Sequence, residues 1–129
     1  QRQMCIRDSV EVQGKDIKVH DAYVVLDCGT HINPDTCVAQ MEGAVVFGLS
    51  LALKSEITFD KGSAVQGNLD TYELLRMMES PRVKVDLVQS EALPAGVGEP
   101  GVPPVAPALT NAIFAASGQR IRKLPVSLA

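Results

Sequence analysis

The amino-acid sequence predicts an α+β fold with mixed or antiparallel strands and two main helices. Short stretches in which apolar and polar residues alternate, each bounded by turn-forming residues, indicate the strands. Two longer segments carry apolar residues at spacings of three and four, which is typical of helices with one buried face. The 129 residues, 46% of them apolar, are enough for one domain with a modest core.

The first predicted elements are strands. Residues 10–12 and 17–19 alternate on either side of Gly14-Lys15-Asp16, a pattern that predicts a hairpin with turn-forming residues at its tip. Residues 22–28 form a more continuous apolar run that ends at Gly29. This run predicts a separate and more deeply buried strand.

A helix is predicted to start at Asn33-Pro34-Asp35. Asparagine suits the N-cap, proline suits the first helical position, and an acid in the first turn complements the helix dipole. The helix then carries apolar residues spaced by three or four positions: Val38, Met41, Val45, Leu49 and Leu53. The face that they share is predicted to be buried.

The second half of the chain contains three further predicted elements. Residues 56–59 and 64–66 predict the two strands of a second hairpin. Residues 82–88 show the most regular alternation in the chain and predict a half-exposed strand. The alanine-rich segment 104–117 predicts the second helix, and Gly118 is well placed to end it.

Composition disfavours several classes of protein. The net charge of −3 is spread along the chain without a basic stripe, and only 4% of residues are aromatic, which disfavours a nucleic-acid surface. Cys5, Cys28 and Cys37 form no C-x-x-C pair, so buried structural thiols are favoured over a disulfide framework or a zinc site. The longest apolar region, residues 43–53, is too short to span a bilayer, and we expect a soluble protein.

The segment Gly96-Val97-Gly98-Glu99-Pro100-Gly101 combines a lone acid with a backbone that carries little side-chain bulk. Its glycines allow the chain to pass close to a large ligand. Pro100 disfavours the helical region for Glu99, so the carboxylate is expected on an extended loop just before the second helix. On local chemistry alone, Glu99 is either a solvated turn residue or a functional acid, and the solvated role is the commoner one.

A resemblance to a known family favours the functional role. Residues 96–100, followed by residues 103–116, resemble the end of the large, molybdenum-binding subunit of the xanthine dehydrogenase family. Within that family the segment is most similar to the isoquinoline 1-oxidoreductase beta subunit and to bacterial aldehyde dehydrogenase relatives. The resemblance implies that Glu99 is the active-site base beside the molybdenum.

Further residues acquire roles from the same resemblance. Gln40-Met41-Glu42-Gly43 resembles the family's Q-x-E-G segment, which makes Gln40 a candidate hydrogen-bond partner of the cofactor. Without the resemblance, Gln40 would be interpreted as a helix-surface glutamine. Val97 and Gly98 are candidates for bringing backbone amides close to the cofactor. No residue is assigned as a metal ligand, because the family holds molybdenum through the dithiolene of its pterin.

The implied protein is part of a molybdenum hydroxylase. Such an enzyme hydroxylates an electron-poor carbon of an N-heteroaromatic ring, or oxidises an aldehyde, with oxygen derived from water. The implied cofactor is a molybdenum pterin in its cytosine dinucleotide form. Two 2Fe-2S clusters are expected on a small iron–sulfur partner subunit, because this chain lacks the cysteine sets that they require. A cytochrome c is a further candidate partner, and the compartment is either cytoplasm or periplasm.

The resemblance divides the chain into two parts. Residues 1–9 show no clear period and do not resemble the family; they look like translated sequencing-adapter read-through and are expected to be non-native. Residues 10–129 are expected to be the C-terminal part of a molybdopterin-binding catalytic domain, inactive on its own. The alternative is a small, self-standing α+β binding or assembly module without catalysis.

Overall fold

The computed structural model describes residues 4–128. Its main elements follow in the order β1 (Met4–Gln13), β2 (Asp16–Leu26), α1 (Pro34–Leu53), β3 (Phe59–Asp60), β4 (Ser63–Ala64), β5 (Arg82–Leu87) and α2 (Val105–Ser117). A short 3₁₀ helix at Met77–Glu79 precedes β5. The α+β class with two main helices is therefore confirmed.

Three of the strands form a mixed sheet in the order β1-β2-β5. β1 and β2 are antiparallel, with Met4 opposite Leu26 and Gln13 opposite Asp16. β2 and β5 are parallel, with Asp21 opposite Arg82 and Leu26 opposite Leu87. Since α1 lies between β2 and β5 in the chain, it belongs to the crossover that parallel pairing requires.

The two strands predicted for residues 17–19 and 22–28 are one continuous strand, β2, which ends at Leu26. A register shift lies opposite the middle of this strand, because Ser9 pairs with Asp21 whereas Val10 pairs with Val19. The inward-facing positions therefore change phase between Val19 and Ala22. This change of phase explains why the sequence pattern predicts two elements where the backbone forms one.

Residues 4–9, expected from the sequence to be foreign to the fold, form the first half of β1 and pair with residues 21–26. The structure thus includes residues 4–9 in the sheet, whereas residues 1–3 lie outside the described residues. Main-chain pairing with β2 needs no particular side chains, which allows an unrelated sequence to take this place. That residues 1–9 are non-native stays a prediction.

Asp8 occupies a core-facing position of β1, in phase with Met4, Ile6 and Val10. Both of its carboxylate oxygens are shielded from solvent, and neither has a hydrogen-bond partner among residues 4–128. Burial raises the pKa of Asp8 from 3.8 to about 6. A carboxyl group without partners is thus enclosed where the alternation calls for an apolar side chain.

Both predicted helices are confirmed, with small changes of boundary. The Asn33 side chain caps α1 by accepting a hydrogen bond from the Thr36 N–H at 3.2 Å, and Pro34 is the first helical residue. α2 begins at Val105, one residue later than predicted, and ends at Gly118 with a left-handed φ of 73°. The helices contact closely at Gly48, where an added Cβ would lie 2.7 Å from the Val105 Cβ.

The core lies between the sheet and the two helices. Its largest fully buried side chains come from both helices and from β2: Met41, Leu49, Leu109, Ile113, Val24, Val45 and Val105. The second predicted hairpin exists, but its strands contain only two residues each. Lys61 and Gly62 form its turn with φ values of 47° and 84°.

The length of α1 corrects the expectation that no segment is long enough to span a bilayer. With 20 residues and a mean hydropathy of 1.5, α1 could cross a membrane by length and composition alone. However, a helix in the core of a globular protein passes the same test, and α1 packs with Met41, Val45 and Leu49 fully buried. The packing favours the interpretation as a core helix.

Candidate functional site

Two loops leave the same edge of the sheet, because β2 and β5 are parallel and their carboxyl ends lie side by side. The β2–α1 loop comprises residues 27–33. The segment that follows β5, residues 88–104, is called the glutamate loop here because it contains Glu99. The parallel pairing therefore brings together two segments that are far apart in the sequence.

Backbone hydrogen bonds fasten the glutamate loop to the end of β2 and to the β2–α1 loop. The three N–H···O=C bonds are Val88 to Leu26 at 2.9 Å, Thr30 to Ala92 at 2.8 Å, and Ala95 to Cys28 at 2.9 Å. The Thr30 hydroxyl donates a further bond to the Ala92 carbonyl at 3.0 Å. The first half of the glutamate loop is thus fixed although it contains no regular secondary structure.

Gly29 permits this close approach. Its φ of 75° lies in the left-handed region, and its N–H donates to the Asp27 carboxylate at 3.1 Å. A Cβ at this position would lie 2.3 Å from the carbonyl oxygen of Leu93, a distance at which atoms clash. Any other residue would push the two loops apart.

A second contact fixes the loop against α1. Gly101 is buried, and a Cβ there would lie 2.3 Å from the Ala44 Cβ and 3.3 Å from the Met41 Sδ. Between Gly101 and Glu99 the chain turns, with the Val102 N–H donating to the Glu99 carbonyl at 3.1 Å. The sequence suggests that Gly101 faces a ligand, but the structure shows that it faces the helix.

Glu99 lies between these contacts, with its side chain exposed. Its carboxylate makes no hydrogen bond or ion pair with any residue in the range 4–128. The neighbouring Gly98 lies beside Gln40 of α1, since a Cβ on Gly98 would be 3.9 Å from the Gln40 Nε2. The structure therefore places Gln40 beside Gly98, the residue that precedes Glu99, and all three residues are exposed. Their roles toward a cofactor stay predictions.

Val97 has a different place from the other predicted site residues. Its partly buried side chain packs against the core, so only its backbone is free to contact a ligand. Within the described part of the chain, the N–H groups of Val97 and Gly98 donate to no other residue. The two backbone donors thus belong to the residues that directly precede Glu99, and the Gln40 amide lies near one of them, Gly98.

A cavity of about 270 Å³ lies under the same loop. Its lining residues come from β1, from the end of β2 and from the glutamate loop: Met4, Leu26, Asp27, Cys28, Ala95, Gly96 and Pro100. Glu99 is not among them. The exposed Glu99 side chain thus lies outside this lining, and its unpaired carboxylate is available to accept a proton from a ligand.

The sequence singled out Glu99 as a candidate base, but it did not indicate the residues that fix the backbone of its loop. Gly29 and Thr30 received no role, although both hold the glutamate loop in place. Their signal in the sequence is weak, because a glycine and a threonine after a strand are ordinary turn residues. Within residues 4–128 no group of three or more histidine, cysteine or acidic side chains is arranged to hold a metal ion.

Comparison with known proteins gives a family match over more than half of the chain. Residues 5–81 match the family described as the molybdopterin cofactor-binding domain. This range includes Gln40 but ends before the glutamate loop, so the match itself does not test the role of Glu99.

Relatives of the chain are known oxidoreductases. It is 42% identical over 103 residues to a membrane-bound aldehyde dehydrogenase [pyrroloquinoline-quinone] of Gluconacetobacter polyoxogenes, covering 80% of the chain and 13% of the relative. It is 36% identical over 110 residues to isoquinoline 1-oxidoreductase subunit beta of Brevundimonas diminuta, covering 85% of the chain and 14% of the relative. The chain thus spans about one seventh of the length of these proteins.

Solved structures with the same local fold include a molybdenum enzyme and a second oxidoreductase. A Cu,Mo carbon monoxide dehydrogenase aligns with a TM-score of 0.69 at 28% identity, over 80% of this chain and 14% of that one. Quinoline 2-oxidoreductase from Pseudomonas putida 86 aligns with the same TM-score at 25% identity, over 85% of this chain and 15% of that one.

Proposed function

The chain belongs to the molybdopterin cofactor-binding domain family, and from this premise we propose that it forms one wall of the active site of a molybdenum hydroxylase, with Glu99 as the general base. The observation that carries the proposal is the position of Glu99. Its loop is fastened on both sides by backbone contacts, while the carboxylate itself remains unpaired.

The residues present fit a large, polar and anionic cofactor. Gly96 has no atom within 4 Å of a built Cβ, and Gly98 has only the Gln40 amide near that limit, so both leave open backbone for a ligand. The Gln40 Nε2 and the N–H groups of Val97 and Gly98 would donate to its oxygen and nitrogen atoms.

When bound, such a cofactor supplies two-electron redox chemistry and the transfer of oxygen derived from water. In the proposed mechanism, Glu99 would accept the proton that the water-derived oxygen loses when an electron-poor carbon of the substrate is hydroxylated. The contacts at Gly29 and Gly101 fix the backbone before and after Glu99, which limits the region that its carboxylate can reach. A positioned general base contributes about 10²- to 10⁴-fold to the rate.

For the substrate class, we propose an N-heteroaromatic ring or an aldehyde. The names of two relatives support these two options, since one is an isoquinoline oxidoreductase and another, 31% identical over 121 residues, is an aldehyde oxidoreductase molybdenum-binding subunit of Escherichia coli. For the cofactor we propose the cytosine dinucleotide form of the molybdenum pterin.

The remaining partners are proposed on chemical grounds. Electrons must leave the site after each turnover, and the chain has only three cysteines, at spacings unlike those of an iron–sulfur site. We therefore assign the 2Fe-2S clusters to a small partner subunit, with a cytochrome c as a possible electron acceptor. The subunit designations in the names of several relatives agree with a multi-subunit assembly.

Two other interpretations predict different outcomes. The name of one relative contains pyrroloquinoline quinone, which would replace the molybdenum pterin as the redox cofactor. The other interpretation is a self-standing binding or assembly module in which Glu99 is a solvated loop residue without a catalytic role. The family match and the molybdenum enzyme among the structural neighbours favour the pterin.

The experiment replaces Glu99 by glutamine in a subunit extended to the length of its relatives and assembled with its partners. We expect Glu99→Gln to keep the molybdenum content of the wild type and to lower the turnover of isoquinoline or of an aromatic aldehyde by about 10²- to 10⁴-fold. Glu91→Gln removes another exposed acid from the same loop and should leave turnover unchanged.

Cofactor analysis of the same preparations separates the interpretations. Full molybdenum content with unchanged turnover in Glu99→Gln would remove Glu99 from the chemistry and leave it as a solvated loop residue. Release of pyrroloquinoline quinone, with no pterin and no molybdenum, would overturn the proposed cofactor. If the extended assembly contains no cofactor and shows no turnover, the binding module is favoured.

A further inference from the structure

A cavity beyond the C-terminal ends of the two helices is rich in cations. Its volume is about 540 Å³, and four basic side chains lie in its wall: Lys54, Arg120, Arg122 and Lys123. Among the described lining residues, Glu56 is the one acid. The lining includes none of the residues proposed to contact the cofactor. This space is called the cationic cavity here.

The cluster of cations is not visible in the sequence because its members are far apart. Lys54 caps the C-terminal end of α1, whereas the other three cations lie in the segment that follows α2. The Val126 N–H donates to the Ala52 carbonyl at 2.8 Å, which ties this segment to the end of α1. Ile121 and Val126 pack against the core, and Leu128 is buried in it. Folding thus assembles the cluster on backbone that is irregular but anchored.

Three of the four cations have no acidic partner in the described part of the chain. Arg122 and Lys123 form no ion pair with any residue in the range 4–128. Arg120 forms none there either, but its guanidinium carbon lies 3.5 Å from the centroid of the Phe114 ring. This cation–π contact orients the guanidinium group and leaves its positive charge in place.

Neighbouring negative charge offsets only part of this positive charge. Lys54 is paired with Glu79 at 2.5 Å. Glu56 contributes one carboxylate to the wall, and the C-terminal ends of α1 and α2 contribute about half a negative charge each. Cations are common at helix ends for this reason. Set against the three unpaired cations, Glu56 and the helix ends still leave an excess of about one positive charge.

We propose that the cationic cavity is a binding site for a small phosphate-bearing anion. Guanidinium groups offer paired N–H donors that match two oxygens of a phosphate, and the Lys123 ammonium adds a point charge. The volume of the cavity lies within the range of small-molecule sites. Ile121, Pro125 and Val126 supply an apolar part of the wall for the organic portion of such a ligand.

The test uses the extended and assembled subunit, with inorganic pyrophosphate as the probe in calorimetric titrations at low salt without divalent cations. We expect saturable binding with a Kd of about 1 mM or lower. Arg122→Gln and Lys123→Gln should each raise the Kd about tenfold, because each removes charge-assisted hydrogen bonds. Both side chains are exposed, so the variants should fold. Lys61→Gln removes a lysine outside the lining and should leave the Kd unchanged.

Glu56 provides a test of opposite sign. Glu56→Gln removes the carboxylate from the wall and should lower the Kd for pyrophosphate, because it removes repulsion between the carboxylate and the anion. Glu91→Gln removes an exposed acid that does not line the cavity and should have no effect. Citrate carries several negative charges but no phosphate group, and it should bind more weakly than pyrophosphate.

Several results would overturn the proposal. Absence of saturable binding would do so, as would an equal rise of the Kd in Lys61→Gln and Arg122→Gln. Equal affinity for citrate would reject phosphate as the recognised group. Loss of molybdenum from Arg122→Gln would assign the cations to the cofactor site. Wild-type molybdenum content and turnover in that variant, with weakened pyrophosphate binding, would support a separate site whatever the role of Glu99.

Discussion

The glutamate loop and the first half of β1 differ in regularity and in how well their groups are partnered. The glutamate loop has no repeating structure, yet three backbone hydrogen bonds and two glycine contacts hold it. Residues 4–9 form a regular strand, yet this strand encloses the Asp8 carboxylate without a partner. The comparison teaches that regular secondary structure and good local stability are separate properties, which substitutions in the two regions can distinguish.

The largest effect is expected at Gly29, where the two loops touch. Gly29→Ala adds a Cβ at 2.3 Å from the Leu93 carbonyl oxygen and also strains a left-handed backbone. We expect the free energy of unfolding to fall by about 3 kcal/mol, the sum of a left-handed penalty and an overpacking penalty. Urea unfolding of the variant and of the wild type measures this difference in the free energy of unfolding.

Gly14→Ala is the control for backbone strain. Gly14 also has a positive φ, 61°, but an added Cβ there meets no atom within 4 Å. Its substitution should cost only about 1 kcal/mol, the left-handed penalty alone. Equal costs at Gly14 and Gly29 would show that the loops do not depend on the close contact.

A smaller effect is expected at Gly101, where the loop meets α1. Gly101→Ala places a Cβ at 2.3 Å from the Ala44 Cβ, and the helix cannot move without disturbing the core. We expect a loss of about 2 kcal/mol in the free energy of unfolding. Gly96→Ala, in the same loop but with open space around its Cβ, should change it by less than about 1 kcal/mol. A similar loss in both variants would contradict the specific contact.

The smallest effect is expected when Asp8 is replaced. This substitution should raise the free energy of unfolding at neutral pH, whereas the glycine substitutions lower it. The pKa of Asp8 is about 6 in the folded chain against an ordinary value of 3.8. Well below pH 3.8 the carboxyl group is neutral in both states. As the pH rises toward and through 6, the unfolded state ionises first, so the free energy of unfolding should decrease.

Asp8→Leu should remove this pH dependence and stabilise the fold near neutral pH. Since Asp8 is only partly buried, solvent screening reduces the expected gain to the order of 1 kcal/mol. Unfolding titrations between pH 4 and 8 measure both the gain and the slope. Arg7→Leu, on the opposite face of the strand, should retain the slope of the wild type. If the free energy of unfolding of Asp8→Leu still decreases between pH 4 and 8, the pH dependence belongs to another group.

Local signals in the sequence predicted the parts of the fold that local chemistry determines. Asn33 and Pro34 mark the start of α1, and Gly118 marks the end of α2, because caps are decided by a few adjacent residues. β2 was predicted as two strands because the register shift at His20, between Val19 and Asp21, changes its alternation. The register shift depends on pairing with β1, which has no local signal.

The candidate site was predictable to a similar extent. Glu99 and Gln40 follow from the resemblance of short motifs, and the structure brings Gln40 close to the neighbour of Glu99. The roles of Gly29 and Gly101 depend on contacts with Leu93 and Ala44, which are distant in sequence. No periodicity or motif encodes such contacts, so only the folded chain shows them.

The hydrogen bonds of the glutamate loop also have a consequence for the order of folding. The bond from Thr30 to Ala92 joins residues 62 positions apart, and the parallel pairing of β2 with β5 spans a similar separation. Contacts of such range require a large loss of chain entropy and form slowly, whereas the β1–β2 hairpin and both helices can form from neighbouring residues. We therefore expect the segment that carries Glu99 to become ordered later during folding than the β1–β2 hairpin.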